Sequence, residues 1–267
     1  MTCDVRLSDA ARDMLKRMRS DGFLTPAEGV PCIRETDPEL YERVCNFVLD
    51  EVVAATDDQL DDRARFLCWI ATLLGCQGID AFRSMVSAAL SVGIEAVAIR
   101  EVVYQAVAYL GIGRVSPFVT ALDEVFENHG IALPLEGQAS TTPDEASRYE
   151  GGERAQVACF GEQMQGFRTR GNADYPWINE WLVKNCFGDY YTREGLTIAE
   201  REMATFCFIA AQGGCESQLR SHTAANVHVG NSRAFLIAVV SNNLPLIGYP
   251  RSLNAMAVVD EVTGAKE

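Results

Sequence analysis

The sequence predicts an all-α protein made of two tandem helical units that form a pseudo-dimer, and three observations carry that prediction. No segment sustains the period-two alternation of a half-buried strand, whereas apolar residues recur at helical spacing along most of the chain. FLCWIATLLGC (66–76) and TFCFIAAQGGC (205–215) share a Cys, an aromatic residue, Ile-Ala and Gly-Cys in register, with Cys76 and Cys215 139 residues apart. Downstream, YLGIGRVSPFVTALDEV (109–125) lines up with LIGYPRSLNAMAVVDEV (246–262), so that Gly111 meets Gly248 and Arg114 meets Arg251 at an offset of 137. One two-residue gap after the first Gly-Cys reconciles the offsets. Each unit then spans about a hundred residues, an ordinary domain size.

The elements follow in order. Residues 1–30 form an extension whose helix is capped by Ser8, with Ala11, Met14, Leu15 and Met18 on one side. The first unit, 31–128, opens with DPELYERVCNFVLDEVV, where Asp-Pro starts a helix carrying Leu40, Val44, Phe47, Val48 and Val52 at helical spacing. The stretch 129–152 is rich in Pro, Gly, Ser and Thr and reads as a linker. In the second unit, 153–267, Thr197 and Glu200 make a capping-box pattern before REMATFCFIAA, a helix expected to stop at Gly213-Gly214. Another helix begins near Cys215, and two more are split by Gly248-Tyr249-Pro250.

Composition narrows the function classes. With 48% apolar residues the chain can fill a core, and a formal net charge of −14 argues against a polyanion-binding surface, so nucleic acid is not an expected partner. A small anionic substrate would have to be met by a few local arginines. The opening residues lack an apolar signal core and no apolar run approaches membrane-spanning length, which predicts a soluble cytoplasmic protein without a membrane partner. Nine cysteines are scattered without a Cys-x-x-Cys pair or zinc-finger spacing; they read as reduced thiols packed as small hydrophobes, and no metal site is expected.

On a helix starting near Cys215, Cys215, Gln218 and His222 share one face. A helix N-terminus favours a thiolate there. Glu202 lies one helix earlier, and if the Gly-Gly break folds the two helices side by side, its carboxylate can orient the imidazole. At the repeat offset Glu202 corresponds to Arg63, and His222 to Arg83 or Met85, so only the second unit holds the complete acid, thiol and imidazole set. Chemistry is therefore expected there and a structural role in the first unit. Each residue also has a plainer reading, since a cysteine after two glycines can be a tight helix start and a lone histidine a hydrogen-bonded surface group. Arg251 could clamp a substrate carboxylate, although its presence in both repeats equally suggests a structural ion pair. The run NCFGDYYTREG (186–196), with Cys186, Asp189, Tyr190 and Tyr191, could line a pocket or pack at a helix end. His228 is off the Cys215 face and reads as surface.

REMATFCFIAAQGGCESQLRSH, HVGNSRAFLIAVV and LIGYPRSLNA, with LLGCQGIDAF and YLGIGRVSPF in the first unit, resemble the carboxymuconolactone decarboxylase family in a tandem two-domain form, over about residues 37 to 265. The resemblance implies an all-helical homo-oligomer, here a trimer of pseudo-dimers, with the catalytic acid, thiol and imidazole on Glu202, Cys215 and His222. It implies decarboxylation of a small carboxylated lactone by acid/base chemistry, without cofactor. Arg251, Gln218 and Tyr190 are the substrate contacts expected from the residues themselves. Related thiol peroxidases of the alkyl hydroperoxidase D type use Cys-x-x-Cys, and here Gln218 stands at the second cysteine, leaving only Cys186 or Cys207 as distant resolving thiols. A peroxidase or disulfide reductase, and a non-catalytic oligomeric binding protein, remain the alternatives.

Overall fold

Ser8 caps the first helix, α1 (Asp9–Met18), by accepting from the Ala11 amide, and Ala11, Met14 and Met18 are buried beneath it. This computed structural model describes residues 5–19 and 32–264; Cys3 and the remainder of the 1–30 extension lie outside the described residues. Asp37 caps α3 (Pro38–Asn46), which follows the short α2 (Ile33–Thr36) and continues through a π-wound segment, Phe47–Val52, into α4 (Val53–Thr56). Then come α5 (Asp62–Cys76), α6 (Ile79–Ser91), α7 (Ala96–Leu110) and α8 (Ile112–Asn128). The second half runs through α9 (Glu145–Phe160), α10 (Trp177–Trp181) and a second π segment, Leu182–Tyr191. It closes with α11 (Ile198–Gln212), α12 (Glu216–His228) and α13 (Arg233–Thr263). Among the described residues there is no strand, and no helix is long and apolar enough to cross a membrane.

The two Gly-Cys helices are the centre. α5 is buried continuously from Arg65 to Gly75 and α11 from Arg201 to Ala211, as expected of helices surrounded on all sides. They touch closely because Gly75 has no side chain: a Cβ there would lie 2.7 Å from Ala211 Cβ and 2.8 Å from the Phe208 carbonyl oxygen. Around this axis the halves exchange polar contacts. Gln105 of α7 donates to Thr205 of α11 (3.3 Å) and accepts from Arg201 (3.2 Å), while Asn242 of α13, 137 positions later, accepts from Arg65 (3.0 Å) and Trp69 (2.9 Å) of α5. One apolar cluster draws side chains from both halves, so they share a core instead of each closing its own.

One local feature meets the sequence expectation and another departs from it. α13 is a pair of helices broken where predicted, at Gly248 (φ 76°, ψ 167°) just before Pro250. The connecting segment, however, is shorter than 129–152. Asp144 caps α9 by accepting from the Ser147 amide, so residues 145–152 are already helical. Gly151 and Gly152 read as breakers by composition, but Gly152 serves close approach: a Cβ there would sit 2.0 Å from the Val183 carbonyl oxygen on the second π segment.

Candidate active site

The capping box starts α11 as its sequence predicts, with Thr197 accepting from the Glu200 amide (3.2 Å) and Glu200 from the Thr197 amide (2.7 Å). Gly213 and Gly214 then both take positive φ (69° and 72°), a conformation L side chains rarely adopt, and the chain turns back into α12. This hairpin brings Glu202 and His222 together. Glu202 Oε2 lies 2.7 Å from His222 Nδ1, Glu202 is fully buried and His222 is 7% exposed. Asn226 locks the crossing by donating from Nδ2 to the carbonyl oxygens of Glu202 (2.9 Å) and His222 (2.7 Å).

The second carboxylate oxygen is also occupied. Tyr191 donates its hydroxyl to Glu202 Oε1 at 2.7 Å and lies 3.1 Å from Thr205 Oγ1 and 2.7 Å from the hydroxyl of Tyr109. Burial pushes both tyrosines well above the ordinary phenol value, so they stay protonated at neutral pH. The imidazole is held edge-on between Tyr109 (centroids 5.2 Å apart) and Phe160 of α9 (5.4 Å). Two further thiols border the group. Cys186 lies 3.9 Å from the Tyr109 hydroxyl, and burial pushes its pKa up to about 12; Cys159 lies beside Glu202, and burial, reinforced by that carboxylate, raises it further.

Of the residues singled out in the sequence, the structure joins Glu202 and His222 by a direct contact, and the others have different partners or exposure. Cys215 occupies the N-cap of α12, half-buried, and among the described residues no hydrogen bond links its thiol to either. Gln218 is exposed. Arg251 donates to the Ala211 carbonyl at the end of α11, a helix-capping contact, and Arg114 reaches the Gln212 side chain at the same end (3.2 Å). Tyr190 is half-buried beside Asp189, and it is Tyr191 that reaches Glu202. The i→i+5 winding of Leu182–Tyr191 rotates each residue less than an α-helix does and shifts the inward face along the sequence. His228 is exposed, as expected.

Sequence reasoning pointed to the run that holds Tyr191 without giving it a partner, and missed Tyr109, Thr205, Phe160 and Cys159. Tyr109 carried one readable signal: Leu246 holds its position in the other repeat, so a hydroxyl replaces an apolar side chain in one copy only. Among the described residues no three His, Cys, Asp or Glu side chains are grouped to hold a metal ion.

With this geometry in view, comparison with known families bears on the second half. Residues 176–261 match the carboxymuconolactone decarboxylase family. This decarboxylase-family segment contains Tyr191, Glu202, Thr205, Cys215, His222 and Arg251, whereas Tyr109, Cys159 and Phe160, which close over the dyad, come from α7 and α9 outside it. No curated protein matches the chain.

Proposed function

We propose that this carboxymuconolactone decarboxylase family member is a decarboxylase-like lyase acting on a small carboxylated lactone such as γ-carboxymuconolactone, with His222 as the acid/base group. The observation that carries this reading is the buried 2.7 Å contact between Glu202 and His222, with the second carboxylate oxygen held by Tyr191. Breaking the bond to the carboxylate releases carbon dioxide and leaves an electron pair delocalised through the unsaturated lactone as a dienolate. One proton must then reach carbon. Glu202 fixes the ring orientation through Nδ1 and leaves Nε2 as the nitrogen that holds or delivers that proton. Tyr109 and Phe160 pack against the ring and keep water from it. Cys215, two turns ahead of His222 on the same helix, serves as a hydrogen donor to the substrate; Arg251, Gln218 and Tyr190 take secondary parts in binding the anion. These steps call for no metal or organic cofactor.

The chain reads as a tandem pseudo-dimer with one live site, since the counterpart of Glu202 is Arg63 and the counterparts of the groups around it are apolar. At the repeat offsets Val52 stands for Tyr191, Phe66 for Thr205, Met85 for His222 and Leu246 for Tyr109. The first three are buried, and Phe66, Met85 and Leu246 belong to the shared core. A homotrimer of such pseudo-dimers would cover the exposed side chains of Ile112, Tyr249 and Leu253.

The thiol peroxidase reading has one observation in its favour, the gathering of Cys159 and Cys186 around the acid. The raised pKa of both thiols opposes it, because the thiolate is the nucleophile. The test is carbon dioxide release and proton uptake with γ-carboxymuconolactone, set against peroxide consumption with a dithiol. Decarboxylation lost in His222→Ala and Glu202→Gln supports the proposal. Peroxide turnover that depends on Cys215, without decarboxylation, overturns it.

A further inference from the structure

α9 lies outside the family segment, yet it supplies Cys159 beside Glu202 and Phe160 against His222. One turn earlier on that face, at i−3 and i−4 from these two, stands Gln156. It is fully buried, and neither its Nε2 nor its Oε1 has a hydrogen-bond partner. Gly152, one further turn back, is pressed onto Val183, so this face of α9 is applied to the π segment that carries Cys186 and Tyr191. Buried polar groups are almost always paired, and one left open a single helical turn from the residues that touch the dyad calls for an explanation. The protein gains nothing for its own stability from an amide there, because an apolar side chain of the same shape would avoid the desolvation.

We infer that Gln156 is a substrate-contacting residue whose Nε2 donates to the lactone carbonyl oxygen. This inference rests on the lactone decarboxylase reading for the identity of the ligand. The carbonyl oxygen is where charge collects when carbon dioxide departs, so a fixed neutral donor there is worth more in the transition state than in the ground state. A neutral amide suits the task better than a cation or an acid in this place. It adds no charge beside Glu202 and cannot deliver a proton to the oxygen in competition with protonation at carbon.

The experiment compares wild type, Gln156→Leu and Gln156→Glu for turnover of γ-carboxymuconolactone, for thermal shift with the non-decarboxylating product lactone, and for melting temperature without ligand. The expected result is a kcat lowered about 100-fold in Gln156→Leu, the size typical of losing one oxyanion donor. A larger loss is expected in Gln156→Glu, and the melting temperature of Gln156→Leu should be equal to or above that of wild type. A structural amide, or one satisfied only by internal water, gives the opposite pattern: a lower melting temperature in Gln156→Leu with unchanged kcat and KM, which overturns the inference. Product lactone that stabilises wild type but not Gln156→Leu, without turnover in either, sustains the contact and removes the decarboxylase reading. Neither turnover nor thermal shift in wild type removes both.

Discussion

Tyr109 and Tyr191 meet hydroxyl to hydroxyl at 2.7 Å, and through Tyr191 the chain of hydrogen bonds continues to Glu202 and His222. Tyr109 belongs to α7 of the first half and Tyr191 to the π segment of the second, so the half expected to be structural contributes directly to the candidate site.

The tyrosine pair predicts a graded response. Tyr191→Phe removes the donor to a buried carboxylate and should cost about 1.5–3 kcal/mol in urea unfolding, whereas Tyr109→Phe, which leaves the Tyr191–Glu202 bond intact, should cost about 0.5–1.5 kcal/mol. The same groups set an alkaline limit. Their folded pKa is raised above the unfolded value, so their contribution is fully present below about pH 10 and is lost as pH rises beyond it. Ultraviolet titration should show tyrosinate from these two side chains only as the protein unfolds.

Removing the imidazole should expose what the dyad does for the fold. His222→Ala leaves Glu202 Oε2 buried without its partner and should destabilise by about 1–3 kcal/mol, measured by denaturant unfolding. Glu202→Gln keeps a polar group at the same place and should cost less stability while abolishing turnover. Equal stability losses in the two variants would contradict this division.

A second buried group predicts a larger effect. Glu101, 1% exposed at its side chain, accepts from Arg201 (3.1 Å) and from both Nε and Nη2 of Arg193 (2.8 to 3.0 Å). Burial lowers the Arg201 pKa, and Glu101 opposes that shift. Glu101→Ala should therefore cost about 3–5 kcal/mol by leaving a buried guanidinium uncompensated. Hydrogen exchange should then be faster at the start of α11, where Arg201 also holds the carbonyl oxygens of Arg193 (2.6 Å) and Glu194 (3.0 Å).

The seating of α9 can be tested at Gly152. Gly152→Ala drives a methyl into the Val183 carbonyl and should cost at least about 1–3 kcal/mol, with Phe160 displaced from His222. Gly113→Ala, where a Cβ meets nothing within 4 Å, is the control and should be close to neutral. The ring-current shift of the His222 imidazole protons reports the displacement.

Much was legible in the sequence because it is local. The helix starts at Ser8, Asp37 and Thr197, the breaks at Gly213-Gly214 and Gly248, and the shared face of Cys215 and His222 follow from capping groups, backbone freedom and a period of 3.6 residues. The repeat also singled out Glu202 and His222 by showing which polar residues only one copy holds. Tertiary structure alone decided that the two are 2.7 Å apart, that Tyr191 and not Tyr190 turns inward, and that Gly152 is a contact surface within a helix. It also decided that α7 and α9 bring Tyr109 and Phe160 to the imidazole. Those outcomes depend on which faces of distant helices meet, and on π winding and close backbone approach, none of which a local pattern of apolar and polar residues encodes.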